Sequence, residues 1–161
     1  MILVLMGVSG CGKTTVGEIL GKQLGWEFND ADDFHPPSNV AKMRAGHALT
    51  DDDRWPWLDR LNALLRGSEL DGKNTILACS ALRQVYRDRL EQGCKDVRWF
   101  YLKGSFELIQ SRLAARKGHY MNPALLQSQF ATLEEPANAI VIDIAPAADV
   151  LAAKIRKTIE E

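Results

Sequence analysis

The chain has 161 residues, 46% of them hydrophobic and 25% charged, which excludes disorder as the global state and suits one compact domain rather than two. Twenty Lys and Arg against twenty-one Asp and Glu leave a net charge of −1, so no overall basic field would hold the chain on nucleic acid or an anionic membrane, and a bound anion must be met by local charge. The three cysteines, Cys11, Cys79 and Cys94, are too scattered for a disulfide framework or a metal-ligand pattern and suit a reduced cytoplasm.

Ile2–Met6 is an apolar run that predicts a buried strand. It is too short for a membrane span and lacks the cationic leader of a signal segment, so a cytoplasmic protein is expected. Val16, Ile19, Leu20 and Leu24 then keep helical spacing, and Glu27–Asp30 reads as a second strand. From Asp32 to Pro56 the rhythm breaks at Pro36, Pro37, Gly46 and Pro56, and this stretch is assigned to acceptor binding. Trp57, Leu58, Leu61, Leu64 and Leu65 form the next helical stripe, before a strand at Asn74–Ala78. Leu82, Val85, Tyr86 and Leu90 form another, before a strand at Arg98–Lys103. Phe106, Ile109 and Leu113 predict a helix, Leu125 to Leu133 a further one, Ile140–Asp143 a last strand, and Leu151, Ile155 and Ile159 a closing helix. Lys117–Pro123, between two of these helices, is assigned to a lid. Strand and helix alternating throughout predict a parallel sheet flanked by helices, in one domain over 1–161.

Gly7-Val8-Ser9-Gly10-Cys11-Gly12-Lys13-Thr14 satisfies G-x-x-x-x-G-K-[ST], directly after an apolar strand and before an amphipathic helix. Glycines at those positions let successive N–H groups turn inward around phosphate oxygens, and the helix beginning near Lys13 adds its positive end. Gly7, Ser9, Gly10, Cys11, Gly12, Lys13, Thr14 and Thr15 are therefore the nucleotide-binding candidates. Lys13 is expected to reach the β- and γ-phosphates and Thr14 to ligate Mg²⁺. No Asn-Lys-x-Asp occurs to read guanine, no Asp-x-x-Gly to sense a γ-phosphate, and the third strand runs into Cys79-Ser80 rather than an aspartate. A small-molecule kinase is favoured over a GTPase or an ATP-driven motor.

Asn29-Asp30-Ala31-Asp32-Asp33-Phe34-His35 leaves the second strand at its C-terminal edge, where ligands sit in open α/β sheets. Alternation puts Asp30 and Asp32 on one side if the strand extends that far, Asp30 to help hold metal-bound water and Asp32 to orient or deprotonate an attacking hydroxyl. His35, His47 and His119 are too scattered for a metal site. From Arg83 to His119 nine Lys or Arg face four acids, and Arg112 and Arg116, four apart, share a helical face leading into Lys117-Gly118-His119, a hinge and cap over triphosphate. The residues by themselves define ATP-dependent phosphorylation of a small hydroxyl-bearing acceptor, with a nucleotide-gated binding module as the rival that acceptor-stimulated turnover would exclude.

Nearly the whole chain resembles the gluconokinases. The segments that carry the likeness are Met6-Gly7-Val8-Ser9-Gly10, Asp30-Ala31-Asp32-Asp33-Phe34-His35-Pro36, Asn39 with Lys42-Met43, Asp53-Arg54, Pro56-Trp57-Leu58, Cys79-Ser80-Ala81-Leu82, Tyr86-Arg87-Asp88, Arg116-Lys117-Gly118-His119, and Ser128-Gln129-Phe130 with Leu133-Glu134. The resemblance implies a P-loop NTPase fold like that of nucleoside-monophosphate and shikimate kinases, three layers α/β/α with a five-stranded parallel sheet and a mobile lid, commonly as a homodimer. It implies ATP and Mg²⁺ as cofactors and D-gluconate, phosphorylated at O6, as acceptor; shikimate or another sugar acid is the rival acceptor. It brings Asp32 to the acceptor hydroxyl, Arg54 to a stretch that meets the acceptor's carboxylate, and Arg116 to the lid arginine. His35, Lys42, Ser80, Arg87, His119 and Gln129 fall in matched segments and are implied as further acceptor contacts. Cys11 stands where Ser is commoner, Arg83 where Lys is commoner and Tyr120 where Phe is commoner.

Overall fold

In the computed structural model, which describes residues 1–116 and 123–161, strand β1 (Ile2–Met6) is wholly shielded from solvent along its length. Such a strand needs apolar neighbours on both faces, and it has them. It is the centre of a parallel sheet in the order β2 (Glu27–Asp30), β3 (Thr75–Ala78), β1, β4 (Val97–Lys103), β5 (Ile140–Asp143). The five strands fall where the sequence pattern places them, within one residue at each end.

The strand alternation separates two cores. Leu3 and Leu5 face α1 (Lys13–Leu24) and α7 (Ala148–Glu160), packing with Val16, Leu20, Leu151 and Ile155, and the same layer takes in α5 (Phe106–Ala115) and α6 (Pro123–Thr132) through Ile109 and Leu126. Ile2, Val4 and Met6 face the opposite layer, where α3 (Asp51–Leu70) and α4 (Gln84–Glu91) supply Trp57, Leu58, Leu61, Leu65, Tyr86 and Leu90. The expected three layers are thus present.

The helix after β1 lies on one face and the helix after β3 on the other, which opens a crevice outside the C-terminal ends of these neighbouring strands. Parallel register brings Leu5 beside Ala78 and Phe100, and Ala78 beside Asp30, so the P-loop, the Asp30 segment and Cys79-Ser80 leave the sheet at one edge.

The stretch from Asp32 to Pro56 corrects the sequence reading, because it is largely helical. Ala31–Phe34 is a 3-10 turn, and α2 (Pro37–Arg44) follows with Pro37 in its first turn, where a missing N–H and a fixed φ favour a helix. The next helix, α3, begins at Asp51 rather than Trp57. Thr50 and Asp53 form a reciprocal capping box, and Asp51, Asp52 and Asp53 put three carboxylates at the positive end of the helix. Pro56 lies inside the helix, and the bond it removes would have gone to the carbonyl of solvent-exposed Asp52. No described helix is long and apolar enough to cross a membrane.

Candidate active site

The turn from β1 into α1 takes its shape from glycine. Gly10 has φ +84°, and a Cβ there would stand 2.7 Å from Cγ of Leu113, so both the backbone and the packing of α5 exclude a side chain. The N-cap of α1 is Gly12 in the left-handed region, with no side-chain cap and no acidic residue in the first turn. The first N–H groups of α1, including those of Lys13, Thr14 and Thr15, therefore remain available for an anion. Lys13 Nζ donates to the carbonyls of Gly7 at 2.9 Å and Val8 at 3.1 Å and lies 3.8 Å from Cys11 Sγ. Cys11 itself is buried, which suits a loop that works through its backbone.

Asp30 and Asp32 come together, though not by strand alternation. The strand stops at Asp30, whose Oδ1 accepts the Asp32 N–H at 3.0 Å and so starts the 3-10 turn. Asp30 Oδ2 accepts the Thr14 hydroxyl at 2.8 Å, uniting the two expected metal residues. The protein crowding around the Asp32 carboxyl raises its pKa above 3.8, the charge of Asp30 adds to the rise, and Lys13 opposes it. Asp32 thus stands beside the P-loop within the field of Lys13, its carboxyl holding a proton more tightly than an ordinary aspartate does.

His35 caps the 3-10 turn, stacks on Trp57 at 4.1 Å and meets Asn39 Nδ2 through Nδ1 at 3.3 Å. Desolvation and then Arg54 lower its pKa below 6.5, which favours a neutral ring. With Nδ1 accepting from Asn39, the inferred tautomer carries its proton on Nε2. Arg54 Nη1 reaches the Tyr86 hydroxyl at 3.2 Å and Asp51 Oδ1 at 3.5 Å, and Arg83 Nη1 reaches Asp51 Oδ2 at 2.9 Å. Two guanidiniums share one carboxylate here and both lie over the Tyr86 ring, at 5.2 and 5.5 Å. The sequence reading, which takes Asp51 as loop, does not show this cluster of Asp51, Tyr86 and Arg83 around Arg54. The signal was the Thr50-x-x-Asp53 capping pattern, which makes Asp51 the first residue of a helix. Lys42 is ion-paired with Asp53, the α3 capping residue, rather than free at the mouth.

Two more of the implied acceptor contacts, Arg87 and Gln129, also have partners in the fold. Arg87 is 3% exposed, and its guanidinium donates to the carbonyls of Ala81 at 2.6 Å and Glu134 at 2.8 Å and to Gln84 Oε1. In the structure it is a tie between the β3–α4 loop and the segment after α6. That loop needs one, since Ala81 holds φ +45°, an unfavourable value for a residue with a Cβ. Ser80, next to it, accepts the Gly7 N–H through its carbonyl at 3.4 Å, so the loop borders the P-loop. Gln129 bonds to Ser9 of the P-loop at both ends of its amide. Arg112 Nη2 donates to the carbonyl of Ala145, in the loop between β5 and α7. Arg116 closes α5 with an exposed side chain and makes no ion pair among the described residues. His119 and the lid assigned to 117–123, apart from Pro123, lie outside the described residues.

A phosphate-binding turn at the switch of a parallel sheet, faced by an acidic pair and flanked by arginines, defines the class as a P-loop kinase of small molecules. The family described as shikimate kinase matches residues 9–159. The chain is 45% identical over 147 residues to the thermoresistant gluconokinase of Escherichia coli (strain K12), covering 89% of this chain and 84% of that protein. It is 46% identical over 154 residues to a probable gluconokinase of Rattus norvegicus, covering 84% and 83%. A gluconokinase structure from Sinorhizobium meliloti 1021 superposes with a TM-score of 0.84 at 35% identity, covering 98% of this chain and 94% of that one. A shikimate kinase from Aquifex aeolicus, at 15% identity and a TM-score of 0.65, shares the fold. The chain belongs to the gluconokinase family.

Proposed function

We propose that this protein transfers the γ-phosphoryl group of ATP to O6 of D-gluconate, forming 6-phospho-D-gluconate and ADP, with the whole chain 1–161 working as one kinase domain. The observation that carries the reading is geometric: Asp30 accepts the Thr14 hydroxyl at 2.8 Å and the Asp32 N–H at 3.0 Å, which sets the Asp32 carboxyl beside the P-loop in the field of Lys13. Asp32 takes the O6 proton as O6 bonds to the γ-phosphorus, while the bond from that phosphorus to the β,γ-bridging oxygen breaks and the electron pair leaves with ADP. Lys13 and the α1 N–H groups hold the phosphates, and Arg116 meets the charge spread over the transferring oxygens. Arg54 receives the gluconate carboxylate, supported by Arg83, and the Nε2–H of neutral His35 is a donor for a gluconate hydroxyl.

The donor set fits magnesium. Thr14 and Asp30 offer two hard oxygens in contact, and no group of three or more His, Cys, Asp or Glu side chains forms a metal cage among the described residues. An ion that keeps several waters and binds chiefly through substrate phosphates suits such a place. When bound, Mg²⁺ supplies charge neutralisation at the β- and γ-oxygens.

The reading extends, on the family resemblance, to a homodimer in the cytoplasm, and light scattering would then give twice the 17.9 kDa chain mass. The test of the reaction is product analysis by phosphorus and proton NMR after incubation with ATP, Mg²⁺ and gluconate. Phosphate on C6, with one ADP formed per gluconate consumed, is expected. ADP formation without gluconate consumption, or phosphate on another carbon, would overturn it.

A further inference from the structure

Ser9 and Gln129 are joined twice across 120 positions of sequence. The Ser9 N–H donates to Gln129 Oε1 at 2.7 Å, and Gln129 Nε2–H donates to Ser9 Oγ at 3.0 Å. Ser9 directly follows Gly7 and Val8, whose carbonyls hold the Lys13 ammonium, so it lies where that ammonium meets the loop. The glutamine is carried by packed structure, since Leu126 of α6 is buried and Phe130 meets Phe106 of α5 edge-on at 5.8 Å. The neighbouring residue Gly10 is covered by Leu113 of α5, so α5 and α6 press on successive residues of the loop.

A serine hydroxyl has one proton and two lone pairs. Here the Gln129 N–H fills a lone pair, and Gln129 Oε1 takes the Ser9 amide, so the hydroxyl proton is the donor left to Ser9. We propose that the Ser9 hydroxyl donates to the transferring phosphoryl group and that Gln129 is a positioning residue acting through it. By offering the hydroxyl an N–H, the carboxamide turns the Ser9 proton away from itself and toward the phosphates. The resemblance assigns Gln129 to gluconate; both ends of its amide face Ser9 instead. The proposal rests on the kinase reading above.

Gln129→Glu separates positioning from simple stapling. A carboxylate can accept both the N–H and the O–H of Ser9, so a staple would survive while the hydroxyl proton would be turned to the wrong partner. The experiment measures kcat, KM for ATP and gluconate, ADP affinity and Tm for Ser9→Ala, Gln129→Glu, Gln129→Met and the Ser9→Ala/Gln129→Glu pair. Expected are a kcat lowered about 10-fold or more in each variant, KM for ATP and ADP affinity within about twofold, a Tm retained in Gln129→Glu, and a double variant no slower than Gln129→Glu. Should Gln129→Met fail to fold, Ser9→Ala and the Glu variants complete the cycle. Wild-type turnover in Gln129→Glu, or losses that multiply in the double variant, would overturn the proposal. A wild-type protein without gluconate-stimulated ADP release would instead sink the kinase reading beneath it, and is seen before any variant is compared.

Discussion

The role proposed for Asp32 as base comes at some expense to stability. Its pKa is raised by desolvation and by Asp30, so the folded protein holds the Asp32 proton more tightly than the unfolded chain does. The sign follows: the contribution of Asp32 to stability is present at low pH and is lost as pH rises through its raised pKa. At neutral pH the ionised carboxylate is mildly destabilising, and Asp32→Asn is expected to raise Tm slightly while abolishing most turnover and preserving ATP binding. Thermal melts beside steady-state rates check both halves, and a variant with full turnover would remove Asp32 from the role of base. In the wild type, kcat/KM should fall on the acid side with an apparent pKa above 3.8, and a pH profile reads it directly. Lys13→Ala should lower kcat by roughly 10²–10⁴-fold, the range for loss of a preorganised charge contact. Near-normal turnover in that variant would contradict the placement of its ammonium at the phosphates.

The tie made by Arg87 belongs to the scale of elements. It joins the loop after β3, with Ala81 in its unfavourable conformation, to the segment after α6, and desolvation lowers its own pKa. Arg87→Met leaves two backbone carbonyls without their donor, which costs about 2–3 kcal/mol and lowers Tm by roughly 4–12 °C. A gluconate KM raised at unchanged Tm would restore Arg87 to the acceptor site. The start of α3 is tied in a related way. The Lys42 ammonium, then the Thr50 N–H, hold the Asp53 carboxyl down to about 2, so the stability it adds is complete above pH 3.8 and lost as pH falls toward 2. Lys42→Met should flatten acid unfolding over that window, as circular dichroism against pH would show, with gluconate KM unmoved.

These elements also show what a sequence displays and what it conceals. Gly7 to Thr14 and the five strands were legible because each is a local pattern of few residues. Two short helical segments were not, because Pro37 and Pro56 read as breaks although one stands in a first helical turn and the other opposes an exposed carbonyl. The approach of Asp32 to Asp30 was anticipated from a strand that ends too early, and a 3-10 turn produces it instead. The resemblance places Arg87 among the acceptor contacts, but its bonds to Ala81 and Glu134 join two segments far apart in the chain, which no local pattern displays.

At the scale of the whole molecule, one parallel sheet brings the phosphate-binding turn, the acidic pair and the Arg54 cluster to a single edge, each from a different strand or helix. A near-neutral chain thereby gathers cations and a pair of carboxylates at one edge, as the proposed transfer from ATP to a sugar acid requires. If this edge selects D-gluconate as the phosphoryl acceptor, selectivity among acceptors follows. A coupled ADP-release assay with ATP and Mg²⁺, run against D-gluconate, shikimate, other sugar acids and the uncharged polyol sorbitol, tests it most directly. The highest kcat/KM is expected for D-gluconate, with little ATP turnover without an acceptor and a gluconate preference over sorbitol that collapses in Arg54→Met. A higher kcat/KM for shikimate or another acid, or ATP turnover indifferent to every acceptor, would contradict it.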